Sequence, residues 1–192
     1  MIGLMTFLRE VSEKDRYEFV APNIRQQANE AFERGVKCIL DCQIKVDGKR
    51  TVWCAQHDKD SLVPRGARSY EHPSLSGGES AGIVCLLMSL DKPSDEVQKS
   101  IRAAVEWYEY SKLTGIRFDK QDGDRRIDRD ASAPPLWGRF YEIETNRPIF
   151  SGRDGAIKYD VAEIEAERRN GYSWYVKSGE SVNDSWSKWN WK

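Results

Sequence analysis

The 192-residue chain has little of what usually marks a function. It has no excess of charge: Lys+Arg 30 against Asp+Glu 31 leaves a net charge of -1. A general nucleic-acid or membrane-surface binder would be strongly basic, so those classes are set aside. No apolar run is long enough to span a bilayer. The amino terminus, MIGLMTFLREVSEKD, lacks the basic start and small-residue cleavage site of a signal peptide. There is no glycine-rich phosphate loop and no Gly-x-Ser-x-Gly elbow; SLSGGES only superficially approaches one. The four cysteines, Cys38, Cys42, Cys54 and Cys85, include no CxxC pair. The two histidines, His57 and His72, follow no zinc-ligand spacing. The cysteines therefore read as buried free thiols, with a disulfide or metal site as the less favoured reading. Lone histidines in turns are more often structural than acid–base groups.

What is present describes a single globular unit with a modest core, 39% hydrophobic and 32% charged. Apolar positions recur at helical spacing near residues 1–10 and, most strongly, over residues 23–43. The stretch IKVDGKRTVWCA alternates around Asp47-Gly48 and reads as a tight turn between short extended pieces. Two further helices are expected, over residues 77–90 and from a Ser94 cap to Gly115. Paired helices with short connections predict a mainly α architecture of helix hairpins with long irregular loops and little β structure. Residues 120–133, KQDGDRRIDRDASA, read as a mobile charged loop; the glycine and terminal glutamate of an EF-hand are missing. A short helix is expected over residues 160–169, capped by Asp160 with Glu163. The tryptophan-bearing tail, residues 176–192, reads equally as a frayed end or a docked segment.

Residues 62–80, LVPRGARSYEHPSLSGGES, stand out between two helical regions. Pro64 and Pro73 stiffen the loop. Ser76 and Glu79 have capping-box spacing at a helix start. A stiff loop that delivers arginines beside a helix start suits an anionic ligand. Arg65, Arg68, Arg139, Arg147 and Arg153 all fall in irregular segments, most beside aromatics or glycines. Arginine grips carboxylate or phosphate with a planar fork, and neighbouring rings can stack on sugar faces. An anionic polysaccharide satisfies both features. Taken singly, each arginine is more simply a brace between loops.

Three segments in consistent order carry a more specific signal: GVKCILDCQIKVDGKRTVWCAQHD, ARSYEHPSLSGGESAGIVCLLMSLDKPSDEV and PPLWGRFYEIETNRPIFSGRDGAIKYDVAEIEAERRNGYSWY. Over about residues 21–175 the chain resembles the pectate lyases of polysaccharide lyase family 10. The resemblance implies a toroid-like (α/α) fold, here partial. It implies cleavage of polygalacturonate by calcium-assisted anti β-elimination, which yields unsaturated oligogalacturonates. The arginine base is expected at Arg68. Arg139, in WGRF, and Arg153, in SGRDG, are expected to bind substrate, joined by Tyr70, Tyr141 and Asn146. The calcium ligands of the family have no match here and are expected upstream of Met1. The chain thus reads as the C-terminal portion of a catalytic module, with apolar surface exposed at Ile2, Leu4, Met5 and Leu8. Relatives are secreted or periplasmic, although no export signal is visible on this chain. The rival readings are an inactive fragment that only binds acidic polysaccharide and a helical interaction scaffold.

Overall fold

A computed structural model describes residues 1–191. Among the described residues there are six α-helices, all but α5 contributing to the larger core: α1 (Ile2–Glu13), α2 (Pro22–Cys42), α3 (Glu79–Met88), α4 (Asp95–Tyr110), α5 (Ala166–Gly171) and α6 (Ser178–Lys188). Pro22 begins α2, where a missing N–H costs nothing. Ser94 caps α4 by accepting from the backbone N–H of Val97. Helix α3, ESAGIVCLLM, is apolar nearly all round, so it belongs inside rather than on a surface. It packs against α1, α4 and α6 at once.

That hub overturns the toroid-like, mainly α expectation. A ring of hairpins would have no helix packed at its centre, and although long irregular loops are present, as over residues 51–74, there is more strand than was expected. Ten strands pair two by two: β1 (Lys45–Val46) with β2 (Lys49–Arg50), β3 (Leu75–Ser76) with β7 (Phe140–Tyr141), β4 (Ile116–Gln121) with β5 (Asp124–Arg129), β6 (Trp137–Gly138) with β10 (Tyr175–Val176), and β8 (Phe150–Ser151) with β9 (Ile157–Lys158). All the pairs are antiparallel. The physical reason is burial. Segments β3, β6, β7 and β8 lie inside the protein, where backbone N–H and C=O groups must find partners. Two-residue strands satisfy them while leaving no periodicity to read.

Other expectations resolve locally. The Asp47-Gly48 turn forms, with φ of 49° and 76°, the left-handed pair a two-residue hairpin turn requires. Residues 120–133 fall largely in the β4–β5 hairpin around Asp122-Gly123, not in an irregular loop. Helix α4 ends at Tyr110, and Gly115 instead turns the chain into β4. The Asp160 cap holds a short 3-10 turn at Val161–Glu163, with α5 a separate helix. The tail docks: Val182 is fully buried and Trp189 nearly so, against α3 and α4. At the amino end Leu4 is exposed, Ile2 and Leu8 are half-buried, and Met5 is buried instead of exposed. Its sulfur occupies the space that a Cβ at Gly35 would take, 2.3 Å away. The four cysteines are free, but only Cys54 is fully buried. Among the described residues no helix is long and apolar enough to cross a membrane.

A second, aromatic core of Phe140, Phe150, Ile149, Val161, Ile164 and Trp174 lies beneath the loops that carry the arginines.

Candidate active site

The loop of residues 62–80 is anchored at its root. The backbone N–H of Cys54 donates to His57 Nε2 at 3.1 Å. That nitrogen must therefore be the acceptor, so Nδ1 carries the proton and donates to the Leu62 carbonyl at 2.8 Å. Both ring nitrogens are used, and His57 is a fastener rather than an acid or base. Asp58 accepts from the backbone N–H and hydroxyl of Ser61 and from the Asp60 N–H, which holds its carboxyl near pH 2. Arg65 reaches Asp58 at 3.4 Å.

At the tip, Glu71 organises the turn. Its carboxylate accepts from the Arg68 backbone N–H at 3.3 Å, from Arg68 Nη1 at 3.2 Å and from the Tyr172 hydroxyl at 2.6 Å. The Tyr70 and Tyr172 rings meet edge to face at 5.2 Å. Arg139 lies over the Tyr172 ring, 4.8 Å from its centroid, and pairs with Glu79. Its Nε is buried without a partner. Arg168 lies over the Tyr70 ring at 4.7 Å and shares the Glu167 carboxylate with Arg153. Arg153 holds Glu167 with a two-pronged fork at 2.9 and 3.0 Å.

The structure thus joins Arg68, Tyr70, Arg139 and Arg153 into one strip through Tyr172, Glu71, Arg168 and Glu167. Tyr141 and Asn146 are placed elsewhere by their bonds. Tyr141 is buried, donates to the Ser111 carbonyl at 2.8 Å and accepts from the Gly138 N–H at 2.7 Å. Asn146, at φ 56°, accepts from Trp107 Nε1 and donates to the Ser111 hydroxyl, both at 2.8 Å. Arg147 stacks on Tyr159 at 3.8 Å, and Arg65 stays with Asp58. His72 meets the Ser151 hydroxyl at 3.2 Å.

Sequence reading missed Glu167, Arg168 and Tyr172 as members of the site. Nothing in AERRNG distinguishes Arg168 from its neighbour Arg169, which turns the other way to clamp Asp124. Glu79 was visible only as a capping-box partner. Half of that box forms: Ser76 Oγ accepts from the Glu79 N–H at 3.1 Å. The Ser76 N–H instead serves the Trp53 carbonyl, and the Glu79 carboxylate accepts from the Ser76 hydroxyl through one oxygen and pairs with Arg139 through the other.

Each arginine of the strip has a carboxylate neighbour, so the strip carries high charge density without a large net charge. The hydroxyl of Tyr70, followed by the Glu71 carboxylate, holds the Arg68 guanidinium above its ordinary value. The Glu167 carboxylate does the same for Arg153 and Arg168. Forks set against aromatic rings suit ligands that pair carboxylates with sugar faces. Among the described residues no group of three or more His, Cys, Asp or Glu side chains is placed to hold a metal ion. They do not fit the calcium ion that the resemblance implies.

Comparison with known proteins gives a family and two similar solved structures. The sequence model of the family described as "Pectic acid lyase" matches residues 1–183. Among solved structures, the chain is similar to a family 10 polysaccharide lyase from Cellvibrio cellulosa, with 34% identity and a TM-score of 0.91 over 98% of this chain. An aspartate-to-alanine mutant of the family 10 lyase of that organism, in complex with a galacturonic acid trimer, aligns with a TM-score of 0.92 and 34% identity over 98% of this chain. The chain spans 59% of the first and 60% of the second. No curated protein gives a significant match. On the match across residues 1–183, the chain belongs to the pectic acid lyase family.

Proposed function

We propose that this chain carries the proton-abstracting and carboxylate-binding side of a pectate lyase acting on polygalacturonate. The observation that carries the reading is the strip itself: Arg68, Arg139 and Arg168 set against Tyr70 and Tyr172, with Arg153 joined to Arg168 through Glu167. The bound trimer of the Cellvibrio mutant supports the same substrate class.

In the proposed reaction Arg68 takes the proton from C5 of a galacturonate unit, α to its carboxylate. The electron pair forms the C4–C5 double bond, and the C4–O bond to the neighbouring sugar breaks. Its oxygen leaves and is protonated by solvent. Charge builds on the carboxylate as C5 is deprotonated, and Arg139 and Arg153 are the forks that stabilise it. Arg68 must shed a proton to act as base, and its neighbours oppose that. Turnover should therefore rise into alkaline pH. A second reading is favoured by the same pairing: Arg68, held cationic by Glu71, binds a carboxylate and abstracts nothing. A polymeric plant substrate also implies a secreted or periplasmic location.

The test is a lyase assay on polygalacturonate at alkaline pH, followed by the ultraviolet absorbance of the unsaturated product, with and without calcium. Arg68→Lys keeps the charge and loses the fork. The base reading expects product formation to vanish while oligogalacturonate binding persists. Near-normal turnover in that variant would sink the base assignment; binding lost together with turnover would favour the second reading.

A further inference from the structure

The β4–β5 hairpin has no part in the strip, yet stability alone does not explain its surface. Lys120 stands directly opposite Arg125 in the ladder, and like charges in that position are destabilising. Arg125 lies over the Phe118 ring at 5.7 Å, and its guanidinium forms no ion pair among the described residues. The same holds for the ammonium of Lys177, an exposed side chain just before α6. This contrasts with Arg68, Arg139 and Arg153, which all have carboxylate partners.

Lys177 and Tyr175 line two adjoining grooves. One, of about 530 Å³, contains Arg139 and Glu79. The other, of about 350 Å³, runs along the hairpin past Phe118 and Arg125. Its acids Asp119 and Asp130 share Arg117, so three lining cations, Arg117, Arg125 and Lys177, stand against two carboxylates. The unpaired cations therefore dominate a path that leads away from Arg139. Phe118 and Tyr175 pack on each other at 4.9 Å and give that path an aromatic floor.

We propose that the groove between the hairpin and β10 is a distal subsite. It extends the cleft past Arg139 and takes the acidic sugars of a longer chain, with Lys177 and Arg125 as their carboxylate partners. The proposal rests on the reading that the strip binds an anionic polysaccharide. It assigns the hairpin a role in preferring polymer over short oligomers.

The test compares affinities for oligogalacturonates, from trimer to octamer, by calorimetry. It uses the wild-type chain, the double variant Arg125→Gln/Lys177→Gln, and Lys177→Glu as a single exposed change that leaves the Phe118 stack intact. We expect wild-type affinity to climb beyond the trimer. The octamer-to-trimer ratio should drop about fivefold in the double variant, the scale of two partly exposed charge contacts, and fall too in Lys177→Glu. A ratio unchanged in both variants, with the wild type still binding, overturns the distal subsite and leaves the proposed function standing. No binding at any length in the wild type overturns both.

Discussion

Replacing Tyr141 by phenylalanine removes a single oxygen, and the structure says what that oxygen does. Its hydroxyl donates to the Ser111 carbonyl and accepts from the Gly138 N–H, and all three residues are buried. Phenylalanine keeps the ring and its edge-to-face packing on Trp107 at 5.1 Å, so the change isolates the two orphaned backbone groups. Leaving a buried donor or acceptor unmet costs about 1–3 kcal/mol each, which sets the expected loss at about 2–6 kcal/mol. For a chain of this size each kcal/mol moves Tm by about 2–4 °C, so a fall of about 4–24 °C is expected. Differential scanning calorimetry measures the melt, and titration with trigalacturonate well below it measures binding. We expect the melt to fall and the affinity to hold. A variant that melts with the wild type but loses its affinity would refute this reasoning and return Tyr141 to the substrate contacts.

Two further predictions test how the site is held. A Cβ at Gly77 would meet the Gly138 carbonyl oxygen at 2.2 Å, a backbone atom that cannot swing aside. Gly77→Ala should therefore destabilise by about 1–3 kcal/mol or more and weaken ligand binding through Arg139; a wild-type melt would show that the two backbones are not so closely apposed. Acid should loosen two ion-paired contacts. Arg169 holds Asp124, and Arg153 holds Glu167, at pKa values of about 2, below their ordinary 3.8 and 4.5. A depressed folded-state pKa stabilises above the ordinary value and is lost as pH falls through the folded one. Urea melts from pH 5 to pH 2 should therefore show a steep decline that is shallower in Asp124→Asn and in Glu167→Gln. Equal slopes in wild type and variants would deny that these pairs persist in solution.

Much of the helical framework was legible in the chain. The apolar spacing of α2, the Ser94 cap and the Asp47-Gly48 turn are local signals, and local physics decides them. The family and the loop bearing Arg68 were legible too, because three ordered motifs carry them. The buried short strands β3, β6, β7 and β8 were not, since a two-residue strand has no period and these pair because a buried backbone needs a partner. The hairpin at residues 116–129 was hidden by its charges, because strand patterning is read from apolar residues and this hairpin alternates acids with arginines.

The sequence by itself determined which residue types the site has to work with: arginine forks, tyrosine rings and a stiffened loop. Only the tertiary structure decided which of them meet. It brought Arg168 from α5 over Tyr70 and gave Glu71 to both Arg68 and Tyr172, while it buried Tyr141 as a core fastener. The reason is that ring stacking and ion pairing act between residues about a hundred positions apart. Their partners are set by how the aromatic core packs beneath the loops, not by any spacing along the chain.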